Sequence, residues 1–203
     1  MIAETDRDRE IGKYQRAYKT PGYAMGLKRK IDAVKALRDL PCRGSFLDVS
    51  CGRGEMLAAA QELGFAAVRG TEVVEELVNI SKGVYWGRAD CLPFGSGAFE
   101  VVTMFDVIEH LLPADREVTG GMFTSQGDDE LACKELARVA SKYVILTANN
   151  KPSFNTDGED LHINRREYNE WDALFRAWFP TGSQIAQATD LSYVSQLWRI
   201  DLP

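Results

Sequence analysis

Two histidines and two acidic residues are the groups in this sequence whose types and spacing best suit chemistry. Asp106, Glu109 and His110 follow one another at positions i, i+3 and i+4, and His162 is the only other histidine among the 203 residues. One turn of helix would place the first three side chains on one face. Carboxylates and imidazoles together can bind a divalent cation such as Mg²⁺ or Mn²⁺, and such a cation can orient a hydroxyl group.

The same side chains support two other interpretations. His110 or His162 can act as a general base, because an imidazole titrates near neutral pH. Alternatively, Glu109 and His110 only cap and orient the start of a helix, and His162 anchors its own loop through a hydrogen bond. The spacing leaves the metal site, the general base and the structural role open.

A glycine-rich turn follows the first hydrophobic strand. The strand contains Asp48, and Gly52 and Gly54 follow in a tight turn that opens a helix. Glycines let the backbone pass close to a ligand, since a Cβ would block both the turn and the approach. Leu57 stands where a dinucleotide-binding GxGxxG loop needs its third glycine, and the sequence has no GxxxxGK[ST] phosphate loop. These features weaken an NAD site and exclude a P-loop.

Hydrophobic and amphipathic segments alternate along the chain, which is typical of βα units that build a parallel sheet. The predicted strands are 45–50, 66–72, 83–90, 98–106 and 142–148, followed by an antiparallel hairpin of 183–189 and 192–201 that turns at Asp190 and Leu191. The predicted helices cover the N-terminal segment up to residue 20 and then 25–40, 55–64, 73–82, 128–141 and 165–179. The polar stretch 149–160 is predicted to be a loop.

The glycine turn resembles motif I of class I S-adenosylmethionine-dependent methyltransferases, an acidic residue followed by x-G-x-G a few positions on. Asp48 and the Gly52-Arg53-Gly54 turn match it. The resemblance implies that Glu72 binds the ribose hydroxyls and Asp90 the adenine amino group; a carboxylate can accept two hydrogen bonds from the ribose diol. The cofactor contacts implied are Asp48, Ser50, Gly52, Gly54, Glu72, Val73, Asp90, Cys91, Phe105 and Asp106.

The segment from Asp106 to Leu111 resembles the DVxEHL motif of a subgroup of small-molecule methyltransferases. This resemblance implies methyl transfer to an oxygen or nitrogen of a small molecule. The candidate catalytic residues are His110, His162 and Asp106. The pattern is also similar to the ExxEH…H arrangement of RNA 3′-terminal 2′-O-methyltransferases, in which a metal holds the ribose hydroxyls.

This second similarity implies a nucleic-acid or modified-nucleotide acceptor. It also implies a metal site, although Asp106 replaces the family's first glutamate. The ligands would be Asp106, Glu109, His110 and His162. A non-catalytic module that only binds S-adenosylmethionine is the third alternative.

The resemblance extends over nearly the whole chain and implies one α/β domain over 1–203. Its fold would be Rossmann-like, a seven-stranded, mostly parallel sheet with helices on both faces and an antiparallel last strand. We expect 1–44 to form a helical lid bearing Tyr14, Tyr18 and Tyr23. Residues 45–148 would bind the cofactor, and 149–203 would add an acceptor-side loop, a helix and the hairpin. Gly120-Gly121 is a candidate hinge of a flap.

The composition of the sequence predicts its location, the state of its cysteines and its charge distribution. The sequence has no apolar stretch long enough to cross a bilayer, and its first residues are charged, so we expect no membrane partner and a cytoplasmic location. Its four cysteines are widely spaced, which predicts free thiols. Residues 1–44 hold 11 Lys/Arg against 6 Asp/Glu, although the whole chain has a net charge of −6. The basic segment is either a solvated helical face or a contact for phosphate groups.

Overall fold

A seven-stranded sheet forms the centre of the computed structural model, which describes residues 4–20, 23, 31–113, 117–118, 122–123, 127–190 and 195–203. The strands are β1 (Ser45–Val49), β2 (Ala67–Glu72), β3 (Val84–Trp86), β4 (Phe99–Met104), β7 (Ala140–Asn149), β8 (Gln184–Asp190) and β9 (Ser195–Asp201). Their order is β3-β2-β1-β4-β7-β9-β8. The first five are parallel, and β9 lies antiparallel between β7 and β8. The predicted sheet with an antiparallel last strand is therefore confirmed.

Helices cover both faces of this sheet, as predicted. The α-helices among the described residues are α1 (Glu4–Tyr18), α2 (Ile31–Arg38), α3 (Glu55–Glu62), α4 (Asp128–Val139) and α5 (Tyr168–Trp178). A short antiparallel pair, β5 (Glu117–Val118) and β6 (Met122–Phe123), stands apart from the main sheet. Buried apolar residues of α2 and α3 share one cluster, and those of α4 and α5 share another.

Alternation along the strands divides the core between these two clusters. Leu47 and Val49 of β1 point toward α4 and α5, whereas Phe46 points toward α2 and α3. Successive side chains of a strand point to opposite faces of the sheet, so a strand covered on both faces is apolar at nearly every position. The aromatic residues Trp171 and Trp198, both fully buried, complete the α5 side.

The strand order creates a crevice between β1 and β4. The chain adds β2 and β3 on one side of β1 and then crosses to place β4 on the other side. In open α/β sheets, ligands bind outside the carboxyl ends of the strands at such a switch point. Ser50 directly follows β1, and Asp106 comes two residues after β4. The topology therefore brings the two predicted motifs together.

The helix predicted over 73–82 is wrong. The segment contains two single 3₁₀ turns, Glu75–Leu77 and Ile80–Lys82. The carboxylate of Glu72 accepts hydrogen bonds from the next two backbone amides, and the side chain of Asn79 accepts one from the amide of Lys82. Such side-chain acceptors compete with helical hydrogen bonds.

Several other expectations need correction or lie outside the described residues. The strand predicted over 83–90 shortens to Val84–Trp86, because Arg88 and Cys91 pair with each other in an isolated bridge. The helix predicted over 25–40 is observed as α2, and 24–30, Gly120-Gly121 and Leu191 lie outside the described residues. All four cysteines are free. Among the described helices, none has the length and apolar character that crossing a membrane requires.

Candidate functional site

One cavity opens at the carboxyl ends of β1, β2 and β4, beneath α1. Its empty space, counting the open mouth, is about 850 Å³. The predicted site residues on its wall are Ser50, Glu72, Val73, Asp90, Asp106 and His110. The helix α1 adds Arg7, Glu10, Ile11, Tyr14 and Tyr18.

The turn after β1 has the backbone conformation that its two glycines predict. Gly52 and Gly54 have positive φ angles of 56° and 85°. A Cβ on Gly52 would lie 2.6 Å from the hydroxyl oxygen of Tyr18. The amide of Gly52 donates a 2.8 Å hydrogen bond to Oε2 of Glu72, which joins the turn to the end of β2. The turn therefore has no room for a side chain at residue 52.

Backbone strain is concentrated at the same edge of the sheet. Within the described residues, Ser50 and Asp106 are the two non-glycine residues with positive φ, at 57° and 55°, and both line the cavity. The amide of Asp106 donates to Oγ1 of Thr147 at 2.8 Å, and that hydroxyl donates to Oδ1 of Asp106 at 3.1 Å. Residues in sparsely populated conformations persist where the surrounding structure holds them, most often at functional sites.

The three acids predicted at strand ends have different environments. Asp48 is buried, accepts a 2.7 Å hydrogen bond from the hydroxyl of Thr103 and is absent from the cavity wall. Glu72 already accepts three backbone amides. A carboxylate offers about four acceptor sites, so at most one remains for a ribose hydroxyl, not the expected two. Asp90 forms a two-point ion pair with the guanidinium of Arg88.

Five of the ten predicted cofactor residues are not among those that line the cavity: Asp48, Gly52, Gly54, Cys91 and Phe105. Phe105 is buried in the apolar cluster with α2 and α3. Cys91 is exposed to solvent. Neither residue is among those that line the cavity.

Glu109, His110 and His162 converge beside the cavity. One ligand atom from each of the three residues lies within 4.8 Å of the other two, and the two imidazole ring centres are 4.6 Å apart. Nδ1 of His110 is 2.8 Å from the carbonyl oxygen of Leu161, and Nδ1 of His162 is 2.5 Å from that of Lys151. Because a carbonyl only accepts, Nδ1 is the donor in each of these two contacts, and the His110 ring has a further hydrogen bond with the backbone of Asp106.

Burial keeps both imidazoles neutral. It lowers the pKa of His110 to about 4, with the neighbouring ring of His162 acting in the same direction. Burial also lowers the pKa of His162, against the opposing effect of the Lys151 carbonyl and of Asp106. Both side chains are therefore uncharged near pH 7, as a general base or a metal ligand must be.

The carboxylate of Glu109 is the least satisfied polar group at the site. The residue is completely buried, and neither carboxylate oxygen has a hydrogen-bond partner of normal geometry among the described residues, although the backbone amides of Glu109 and Asn149 lie near enough to oppose the rise in its pKa. Burial raises the pKa of Glu109 well above its usual range, and the charge of Asp106 adds to that effect. A buried carboxylate without a partner is costly unless a proton or a cation neutralises it.

The predicted single face of Asp106, Glu109 and His110 is wrong. The segment forms only a 3₁₀ turn, Ile108–His110, and Asp106 precedes it in the left-handed conformation. Asp106 therefore lies outside the group of three ligand atoms. Its charge still acts on all three residues of that group.

The comparisons with known proteins agree with this architecture. Residues 22–119 match the family model of a methyltransferase domain. These residues, just under half of the chain, are therefore similar to a methyltransferase domain, and the fold is that of class I S-adenosylmethionine-dependent methyltransferases.

Solved structures share the fold at low sequence identity. The PH0226 protein of Pyrococcus horikoshii is 17% identical, with a TM-score of 0.68 over 94% of this chain and 98% of that one. A methyltransferase of Thermotoga maritima is 21% identical, with a TM-score of 0.59 over 97% and 98%. Magnesium protoporphyrin IX methyltransferase of Synechocystis, solved with bound S-adenosylmethionine, is 16% identical, with a TM-score of 0.54 over 100% and 86%. No curated protein sequence matches the chain.

The cavity also contains residues that the sequence did not single out. Arg7 of α1 forms an ion pair with Asp128 at the start of α4 and lies 3.5 Å from Asp90. Glu10 and Arg88 also line the cavity. No motif marks these residues, since Arg7 and Asp128 are 121 positions apart.

Basic residues of the N-terminal segment form ion pairs within the protein. Lys13 pairs with Glu10 at 2.8 Å, and Arg16 pairs with Glu159 at 2.8 Å. Tyr14 donates a hydrogen bond to the carbonyl of Leu161 and packs edge-on against His110 at 5.1 Å between ring centres. These contacts hold α1 against the loop between β7 and α5. They favour the interpretation of the basic residues as an intramolecular surface.

Proposed function

We propose that this protein transfers the methyl group of S-adenosylmethionine to an oxygen or nitrogen of a small molecule that enters the cavity beside His110. The proposal depends on one observation. The neutral imidazole of His110 is on the same wall as Ser50, Glu72 and Asp106, the residues at the strand ends.

The cavity, together with the glycine turn that is hydrogen-bonded to Glu72 on its wall, would hold S-adenosylmethionine. The side-chain-free turn at Gly52 would hold its amino-acid part, Glu72 one ribose hydroxyl, and Asp90 the adenine amino group. Bound there, the cofactor supplies an electrophilic methyl group on a positively charged sulfur. We propose that residues 1–203 form one domain for this purpose, with α1 as the lid that excludes water.

The charge of the cavity favours a neutral or cationic acceptor. Its wall carries five carboxylates, against two guanidinium groups that are already ion-paired. The carboxylates are Glu10, Glu72, Asp90, Asp106 and Asp128. A phosphate group would meet net repulsion in this environment. A small hydroxyl or amine compound is therefore the preferred acceptor.

His110 would act on the proton of a hydroxyl acceptor. We assign the base to Nε2, because Nδ1 donates to the carbonyl of Leu161. The backbone of Asp106 also hydrogen-bonds to the ring. Asp106 and the Leu161 carbonyl favour the protonated ring and would stabilise the imidazolium as it forms. The low pKa weakens His110 as a base but leaves it unprotonated at neutral pH.

Methyl-labelled S-adenosylmethionine provides the test. The protein would be incubated with alcohols and phenols, with amines, and with short RNAs that end in a 2′,3′-diol. We expect label in a small molecule, and a loss of about 100-fold or more in kcat for His110→Gln with unchanged binding of S-adenosylmethionine. Transfer to RNA alone would overturn the choice of acceptor. Tight cofactor binding without transfer to any class would indicate the non-catalytic module.

A second candidate is metal-assisted transfer to a vicinal diol, as in a ribose. The converging ligand atoms of Glu109, His110 and His162 support it, as does the unsatisfied carboxylate of Glu109. Carbonyl partners on both Nδ1 atoms are the arrangement that usually orients histidine ligands. Two imidazoles and one carboxylate suit Mn²⁺ better than Mg²⁺, which prefers oxygen ligands.

Calorimetric titration with MnCl₂ separates the two candidates. The metal-assisted mechanism predicts one Mn²⁺ per chain in the wild type, no binding in Glu109→Gln or His162→Gln, and turnover that stops after chelation. Turnover that a chelator leaves unchanged, in a protein that binds no Mn²⁺, would reject the metal and retain His110 as the base.

A further inference from the structure

A buried asparagine connects the two histidine-bearing segments. Asn164 is 3% exposed and lies two residues after His162. Its backbone amide donates to the carbonyl of Glu109 at 2.9 Å, and its Nδ2 lies 3.4 Å from the carbonyl of Ile108. The loop that bears His162 is therefore hydrogen-bonded to the turn that bears His110.

The remaining polar groups of Asn164 contact two charged side chains. Nδ2 donates to Oδ2 of Asp129 at 2.9 Å, and Oδ1 accepts from Nε of Arg166 at 3.0 Å. Asp129 is completely buried in the first turn of α4, where it also accepts the amide of Glu130. The guanidinium of Arg166 stacks over the ring of Trp171 in α5. Asn164 is thus anchored to two rigid helices.

Only an amide side chain satisfies this environment. The position requires donors toward a carboxylate and a carbonyl, together with an acceptor for a guanidinium. Aspartate at neutral pH has no donor and would place a second negative charge beside Asp129, whereas an apolar residue would leave buried polar groups without partners.

We propose that Asn164 is a positioning residue that sets the placement of His162 against His110. This inference rests on the proposed function of the two histidines. Through the carbonyls of Ile108 and Glu109, it transmits the position of α4 to the turn Ile108–His110. Small displacements of reacting groups have large effects on rate, so the asparagine acts on turnover without touching the cofactor.

The test compares Asn164→Asp with Asn155→Asp, a matched control in the same loop whose Nδ2 also donates to a carboxylate, that of Glu159. The double variant Asp129→Asn/Asn164→Asp reverses the donor and acceptor and restores one hydrogen bond. Only two histidines are present, so their ring-proton NMR signals at one fixed pH report their placement directly. Variants His110→Gln and His162→Gln assign the signals.

We expect Asn164→Asp to shift both histidine signals and lower kcat by about 100-fold. The affinity for S-adenosylmethionine should change by less than about 2-fold, since the contacts of Gly52 and Glu72 are untouched. The double variant should recover about 10-fold of the lost rate, and Asn155→Asp should resemble the wild type. Unchanged histidine signals in Asn164→Asp would overturn the inference, and so would a loss of cofactor affinity equal to the loss of kcat.

The NMR measurement also separates this inference from the proposed function. If His110→Gln leaves the rate intact while Asn164→Asp still shifts both signals, the catalytic role of His110 fails and the positioning role of Asn164 stands. If His110→Gln lowers the rate while Asn164→Asp leaves both signals in place, the proposed function stands and the positioning role fails.

Discussion

The cofactor side of the cavity, with the glycine turn, Glu72 and Asp90, differs from the histidine side, with Glu109, His110 and His162. On the cofactor side, carboxylates are satisfied by backbone amides and by arginine. On the histidine side, a buried carboxylate has no hydrogen-bond partner of normal geometry among the described residues. The carboxylates of the cofactor side have their hydrogen-bond and ion-pair partners within the protein. The buried carboxylate of the histidine side is stabilised when a proton or a cation neutralises it.

The largest expected effect is on the cofactor side. Gly52→Arg should weaken binding of S-adenosylmethionine by about 100-fold or more, because the positive φ and the hydroxyl of Tyr18 exclude any side chain. Calorimetry measures the loss. The control is Gly64→Ala, where φ is also positive but a Cβ has nothing within 4 Å. Equal affinities of Gly52→Arg and the wild type would contradict the assignment of the turn.

The pH dependence of stability tests the histidine side next. The pKa of His110 is about 4 in the folded protein, compared with 6.5 for a histidine in the unfolded chain, so the unfolded chain binds more protons between these values. Stability contributed by the neutral ring is therefore complete above pH 6.5 and is lost as pH falls toward 4, by about 3 kcal/mol. Urea unfolding in chelator at several pH values measures the slope.

The matched variant for this slope is His110→Gln, which cannot titrate in the window. We expect its stability to fall less between pH 6.5 and pH 4 than that of the wild type. Identical slopes in the two proteins would show that His110 titrates normally and is not held neutral by burial.

The variant Glu109→Gln tests whether the buried carboxylate destabilises the histidine side at high pH. The raised pKa of Glu109 means that the folded protein retains a proton that the unfolded chain releases, so stability falls as pH rises above the ordinary value. In metal-free buffer at pH 8, the glutamine variant should be more stable by roughly 2 kcal/mol, with a gain that disappears near pH 4. A destabilised variant at pH 8 would mean that Glu109 has a partner that the described residues do not reveal.

The smallest expected effect concerns the lid. Arg7→Met removes the ion pairs of α1 with Asp128 and Asp90, which should weaken binding of S-adenosylmethionine by about 5-fold at low salt and less at high salt. Arg9→Met is the control, since Arg9 is half exposed and pairs within α1. Equal affinities of the two variants would show that the ion pairs of α1 do not contribute to binding of the cofactor.

Local patterns predicted most of the fold and the cofactor side. Alternating apolar strands, the glycines at 52 and 54 and the acids near strand ends are short-range features, and they predicted the seven strands of the sheet. The helix predicted over 73–82 failed because two side chains, those of Glu72 and Asn79, take the backbone amides that a helix needs. Periodicity does not report such competition.

The class of fold, the tight turn at Gly52 and the candidate histidines could be predicted from the sequence, because each depends on short stretches of neighbouring residues. That Asp106 lies outside the group formed by Glu109, His110 and His162, and that Asn164 connects the two histidine segments, is visible only in the folded protein. The tertiary structure also places Arg7 against Asp128. Burial and hydrogen-bond partners set the charge of a side chain, and at this site they come from residues far apart in the chain.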